Sequence, residues 1–273
     1  MTGAQDQSIL NGQPTLRFVD THTHLDDDAF LADVDQVIAE AIAQGVTTFV
    51  NIGYEPARWK TTISLANRFP SVSYSLGMHP QHADDWNVHS ADVLRRLLVD
   101  RRPVAIGEVG IDLFRGETNV SQQLRCFDDQ LDLAVAHKLP VVVHMRSAQS
   151  EILHHLNGRT KNPQLLFHSF DGDEVLTQFV LEHATIVGVG GLATRSKSVT
   201  IRQQLKRIPL TQMVLETDSP YLVPTKVRGS RNMPKNIPVI AEFLADLKQI
   251  SVIDVANTTT TNAERFFGKL GDV

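Results

Sequence analysis

Four histidines and two carboxylates in this chain stand where short apolar runs give out. They are His22 and His24 in "FVDTHTHL", Glu108 in "AIGEVGID", His144 in "VVVHMR", His168 in "LLFHSF" and Asp218 in "VLETDSP". Imidazole nitrogens and carboxylate oxygens are donors that borderline divalent ions accept, and six of them can hold two ions with one carboxylate shared. Two cations about 3.5 to 4 Å apart lower the pKa of a shared water and clamp the oxygens of a displacement at phosphorus. Taken singly, each residue has a plainer role. A histidine after a strand is more often a hydrogen-bonded rim residue, and a carboxylate there more often caps a helix or pairs with an arginine. The placement is nevertheless selective. Of the 11 histidines, His82, His89, His137, His154, His155 and His183 fall in helical or loop stretches away from strand ends, and the other five do not. A metal centre is therefore the expectation.

Other residues join these by position. Asp218, close to both an ion and the water it activates, is the choice for general base or proton shuttle. His79 in "GMHP" and Arg146, two residues past His144, are candidates for holding a phosphate, Arg146 through its bidentate fork. In their plainer roles His79 orders its loop and Arg146 pairs with Glu216 or Asp112. Asp20 lies on the strand face of His22 and His24 and is expected to orient one of them from behind; Glu216 is a second such group. Asp26, Asp27 and Asp28 precede "AFLADV", where acids favour a helix N-terminus.

Something must bring these ends together. Apolar, β-branched runs recur at 17–20, 47–52, 72–77, 103–109, 140–145, 164–169, 185–190 and 213–218, giving eight expected strands. Between them the period changes to that of a helix. In "AFLADVDQVIAEAIAQG", Phe30, Val34, Val37, Ile38, Ala41 and Ile42 share one face and Gly45 occupies the C′ position. In "NVSQQLRCFDDQLDLAVAHKL", Leu124, Phe127, Leu131, Val135 and Leu139 do the same, and Asn119 with Gln122 resembles a capping box. Strand, helix and strand in strict succession imply parallel pairing. Eight such units in about 250 residues predict a single-domain (β/α)8 barrel over 16–270, behind a polar tail at 1–15. An open doubly wound sheet is the alternative, but no Gly-x-Gly-x-x-Gly follows the first strand. In a barrel the strand C-termini form one rim, so all six donors share one mouth.

Composition bounds the partners. The chain has 273 residues, 42% hydrophobic and 21% charged, with a formal net charge of -5, which offers no global basic field; a nucleic acid would need a local patch or bound cations. Cys126 is the only cysteine, which excludes an intrachain disulfide framework and fits a reducing compartment, with the cytoplasm as the default. No apolar run approaches a membrane span, and a monomer is the simplest assembly.

The chain from about Phe18 to Phe267 resembles the TatD family of metal-dependent hydrolases, within the wider amidohydrolase-type barrels. The resemblance is carried in order by "DTHTHL", "GMHP", "GEVGID", "HMR", "FHSF", "LETDSPYLVP" and "NAERFFG". It implies a (β/α)8 barrel, two divalent ions (Mg²⁺, Mn²⁺ or Zn²⁺) and deoxyribonuclease activity. It further implies that His22, His24 and Asp218 hold one ion, that His144 and His168 hold the other, and that Glu108 bridges them. Two departures concern the substrate rim: Met233 stands where members often carry a glutamate, and Ser147 where an aspartate is common. Arg228 and Arg231 in the same loop are candidate phosphate contacts, and "GVGGLATRS" is either an amide-lined phosphate pocket or a tight turn.

Three functions follow. The first is hydrolysis of DNA from single-stranded or frayed 3′ ends, since a barrel mouth admits one strand more easily than a duplex. The second uses the same site on a carboxylic ester, lactone, amide or aminoacyl-tRNA. The third is a barrel that uses its metals only structurally.

Overall fold

The structure, a computed structural model, describes residues 9–10, 13–14, 16–114, 119–268 and 270–271. The tail expected over 1–15 lies largely outside the described residues; within it Ile9–Leu10 pairs antiparallel with Gln13–Pro14. The eight expected strands are all present: β1 (Phe18–Thr23), β2 (Val46–Gly53), β3 (Val72–Leu76), β4 (Ala105–Asp112), β5 (Val141–Arg146), β6 (Leu165–Phe167), β7 (Ile186–Val189) and β8 (Met213–Leu215). They are ordered β8 to β1 without interruption, and every neighbouring pair is parallel.

Helices α1 (Val34–Ala43), α2 (Pro56–Arg68), α3 (Val88–Asp100), α4 (Val120–His137), α5 (Gln149–Gly158), α6 (Glu174–His183) and α7 (Val199–Arg207) alternate with the strands, and α8 (Ile237–Lys248) and α9 (Val252–Phe267) follow β8. This is the predicted (β/α)8 barrel. Alternation along each strand divides the apolar residues between two layers. Phe18, Phe49, Val141, Val143, Leu165 and Phe167 pack outward against the helices. Val19, Val50, Val142, Leu166 and Val214 turn inward and meet Ala263, Phe266 and Phe267 of α9. The last turns of α9 thus plug the N-terminal end of the barrel, and Asn262 anchors them by donating to the carbonyls of Leu210 and Met213. The opposite end is left for the site.

The barrel closes between β8 and β1 through an irregular seam. Asp218 N donates to His22 O and His24 N to Ser219 O, both at 2.8 Å. Thr21 Oγ1 reaches Leu215 O at 3.0 Å. Asp20 is fully buried here, accepting from Thr217 N at 2.9 Å, from Thr217 Oγ1 at 2.5 Å and from His22 N at 3.3 Å. The expectation that Asp20 orients an imidazole is corrected: its carboxyl replaces missing ladder bonds and so fixes backbone on both sides of the seam. Burial raises its pKa to about 7, against the lowering effect of the Thr217 bonds.

Local expectations held unevenly. Gly45 has φ of +85° just past α1, as a C′ glycine should. The helix expected from Ala29 starts only at Val34, because Asp28–Phe30 forms a separate 3-10 turn capped by Asp27. Ile42, placed on the apolar face, is exposed. Asn119 caps α4 by accepting from Gln122 N, but the capping box is half made: the Gln122 amide reaches away to the carbonyls of Ala83 and Trp86.

Candidate metal centre

Each donor is carried by a strand or by the residues just past one, and the expectation that Glu108 ends its strand is corrected, since β4 runs on to Asp112. His22 is the fifth residue of β1 and His24 the first beyond it, and their rings lie 5.2 Å apart, edge to face. Glu108 is inside β4, where the register with β5 shifts between Ile106 and Val109. His144 is in β5, His168 follows β6 directly, and Asp218 follows β8 by three residues with φ of +55°.

All six donors meet. Glu108 Oε2 lies 2.8 Å from His168 Nε2, 3.2 Å from His144 Nδ1 and 3.8 Å from His22 Nε2. Asp218 Oδ1 lies 3.3 Å from His24 Nε2 and 3.7 Å from His22 Nε2. Two donor triads result, His22–His24–Asp218 and Glu108–His144–His168, each with ligand atoms within 4.8 Å of one another. The rings of His22 and His168 stack at 4.0 Å and join the two triads.

The electrostatics are those of a site short of positive charge. Burial opposes ionisation of Glu108, but His168, His79 and the His144 hydrogen bond more than reverse this and hold its carboxyl well below the usual range. Burial and the neighbouring His168 push His22 well down. For His144, burial is outweighed by hydrogen bonds to Asp112 and Glu108, and its pKa rises to about 9. Both ring nitrogens of His22, and Nδ1 of His24 and His168, are buried without a protein partner. Unpaired buried imidazoles facing two carboxylates, with no lysine or arginine in ion-pair reach of Glu108 or Asp218 among the described residues, fit divalent cations.

A profile of the family described as "TatD related DNase" matches residues 19–268. The chain belongs to that family. It is 31% identical over 255 residues to the "3'-5' ssDNA/RNA exonuclease TatD" of Erwinia tasmaniensis, covering 91% of this chain and 98% of the relative. It is 28% identical over 249 residues to the "Uncharacterized metal-dependent hydrolase YabD" of Bacillus subtilis, covering 91% and 98%. Among solved structures, the TatD homologue YJJV of Escherichia coli superposes with a TM-score of 0.88 at 27% identity, covering 93% of this chain and 99% of that one. The TatD family is one of metal-dependent hydrolases, and the eight-stranded barrel is its fold.

Around the donors, this TatD-family barrel departs from several expectations. Arg146 pairs with neither Glu216 nor Asp112: it is exposed, with its guanidinium 3.9 Å over the Phe114 ring. Asp112 instead meets His144 Nε2 at 3.2 Å and receives a bond from Gln81. Sequence reasoning gave Asp112 only as an arginine partner; its signal was the last residue of "GEVGID", one strand over from His144. His79 is buried, its Nδ1 accepts from Gln81 N, and its ring lies 4.3 Å from that of His144. Burial, with His144 beside it, pushes His79 down to about 3. His82, set aside as a loop histidine, stacks on Tyr54 at 6.1 Å, and Tyr54 in turn lies edge to face with His24 at 5.4 Å.

Asp26 is no helix cap. It is buried, accepting from Asn51 and Thr62, while Asp27 alone caps the turn. Arg231 is taken up by Asp33, whereas Arg228 stays exposed. Met233 packs against the core, and Ser147 is exposed. Glu216 is fully buried and accepts from Ser169 N; its Oε2 has no partner, and burial, reinforced by Asp218, raises its pKa well above the usual range. The glycines in and after β7 are tightly packed. A Cβ on Gly188 would come within 2.0 Å of Glu216 Oε2, and one on Gly191 within 1.9 Å of Leu222 O.

Proposed function

We propose that the chain is a divalent-metal-dependent phosphodiesterase that removes nucleotides from the 3′ ends of single-stranded or frayed DNA. The observation that carries this reading is Glu108 Oε2, placed within 3.8 Å of three imidazole nitrogens belonging to two donor triads. His22, His24 and Asp218 would hold one ion and His144 and His168 a second, with Glu108 within reach of both sets. Bound there, Mg²⁺, Mn²⁺ or Zn²⁺ supply Lewis acidity and a water of lowered pKa, chemistry suited to displacement at phosphorus.

The chain's own groups do the rest. Asp218 has one oxygen toward His22 and His24 and keeps the other to take a proton from the attacking water. Asp112 accepts from Nε2–H of His144, which fixes the ring and leaves Nδ1 as the ligating atom. Glu216, within 4.8 Å of ligand nitrogens of both His22 and His168, is held by Ser169 N as a neighbouring carboxyl group. Neutral His79, its Nδ1 taken by Gln81 N, offers Nε2–H to a phosphate oxygen, with Arg146 at the rim for a flanking phosphate. The relative named as a single-strand DNA and RNA exonuclease supports the substrate class. Two dications bound there would offset most of the chain's formal net charge of -5.

The test is release of mononucleotides from labelled oligonucleotides by protein stripped of metal and reloaded with each ion. Mg²⁺- or Mn²⁺-dependent release is expected, abolished in Glu108→Ala. Intact oligonucleotides beside turnover of an ester, lactone or amide would transfer the assignment to carbonyl hydrolysis, and no turnover of either would end it.

A further inference from the structure

Ten large apolar or aromatic side chains are exposed among the described residues, and eight of them are aliphatic. Exposed aliphatic residues scattered singly are ordinary. The two aromatic ones, Phe114 and Tyr221, both stand at the mouth of the barrel, two residues after Asp112 and three after Asp218. Phe114 carries the Arg146 guanidinium 3.9 Å over its ring, which leaves Tyr221 as the aromatic ring at the mouth best placed to receive a ligand.

We propose that Tyr221 is the platform on which an unpaired nucleobase stacks when the adjoining phosphate reaches the metal centre. This rests on the nuclease reading above and adds the group that holds the base. Tyr221 is 53% exposed, yet it is fixed at both ends. Its backbone N donates to Asp218 O at 2.8 Å, and its hydroxyl donates to Asp27 Oδ2 at 3.2 Å. Its ring meets that of His24 edge to face at 5.9 Å, so it cannot stand further from the ions than one nucleotide reaches. Tyr54 meets His24 from another side and carries Arg58 at 5.5 Å over its ring. A ring pinned before binding loses little conformational freedom on contact, which favours stacking. Every base has a π-face, so such a platform tolerates any sequence but requires the base to be unpaired.

The plainer alternative is that Tyr221 only braces the Asp27 and Asp218 loops. The two are separated by binding of a 5′-fluorescein oligodeoxynucleotide with phosphorothioate linkages to metal-loaded protein, followed by anisotropy. A companion oligonucleotide is abasic at its three 3′-terminal residues. Base–aromatic stacking predicts that Tyr221→Ala weakens binding of the complete strand about 5- to 100-fold, whereas Tyr221→Phe stays within about twofold of the wild type. The abasic strand is expected to bind weakly and alike to all three proteins.

Equal loss on both strands, no loss on either, or no binding by the wild type overturns the platform. Nuclease activity is scored separately with unmodified strands. A wild type that hydrolyses DNA without Tyr221-dependent binding keeps the nuclease and loses the platform. One that binds through Tyr221 yet hydrolyses nothing does the reverse.

Discussion

Asp112 meets His144 Nε2 and leaves Nδ1 toward Glu108 and His168, so under the proposed function it positions a ligand from behind. Partners of this kind are worth about 10- to 100-fold in metal affinity. Asp112→Ala is therefore expected to weaken binding of the ion held by His144 by that factor while the protein stays folded. Competition against a chromophoric chelator measures it, and an unchanged affinity would remove Asp112 from the site. Asp20 differs in kind, since its bonds go to Thr217 and to the backbone of His22. Asp20→Ala strands two buried N–H groups, of Thr217 and His22, and the Thr217 hydroxyl, at about 1 to 3 kcal/mol each. Urea unfolding should register a loss of about 3 kcal/mol or more; a loss below about 0.5 kcal/mol would contradict the seam role. That the six candidate donors gather was legible in the sequence because alternating strands and helices bring strand C-termini to one rim. Their partners were not. Whether Asp112 meets Arg146 or His144 depends on the relative register of β4 and β5, which no single segment encodes.

Strands and helices were legible for a related reason. Hydrophobic period is a property of one segment, and all eight apolar runs became strands. Boundaries were less so, because β6 and β8 end early and leave His168 and Glu216–Asp218 in loops, where side chains bend inward over the mouth. The glycines in and after β7 had two readings from sequence, and the structure adds a third constraint, close packing. Gly188→Ala brings a Cβ against the Glu216 carboxyl at 2.0 Å, and overpacking of this sort costs typically about 1 to 3 kcal/mol. If the cause is that one contact, adding Glu216→Ala should recover part of the loss. A double-mutant cycle on unfolding free energies would then give a coupling of roughly 0.5 kcal/mol or more, whereas strict additivity would place the strain elsewhere.

The molecule as a whole is a barrel plugged at one end by α9, with six candidate metal donors gathered at the other. Ions at the open end would bind the native arrangement far better than an unfolded chain in which six donors are scattered from residue 22 to residue 218. Binding that favours the native state adds RT ln(1 + [L]/Kd), about 4 kcal/mol at a thousandfold excess over Kd. At roughly 2 to 4 °C per kcal/mol for a domain of this size, stripping the metal should lower the Tm by on the order of 10 °C. Ligation requires imidazoles without their ring proton on the bound nitrogen, and the metal-free His144, raised to about 9, is protonated at neutral pH. Metal binding must therefore displace a proton. The sign follows: the metal-induced rise in Tm grows from pH 6 toward pH 9 and shrinks below pH 6 as further imidazoles are protonated. Differential scanning fluorimetry across that range, with Mn²⁺ or with chelator, reads the effect directly. A Tm indifferent to chelation at pH 8 would show that the two triads hold no ion that matters to the fold.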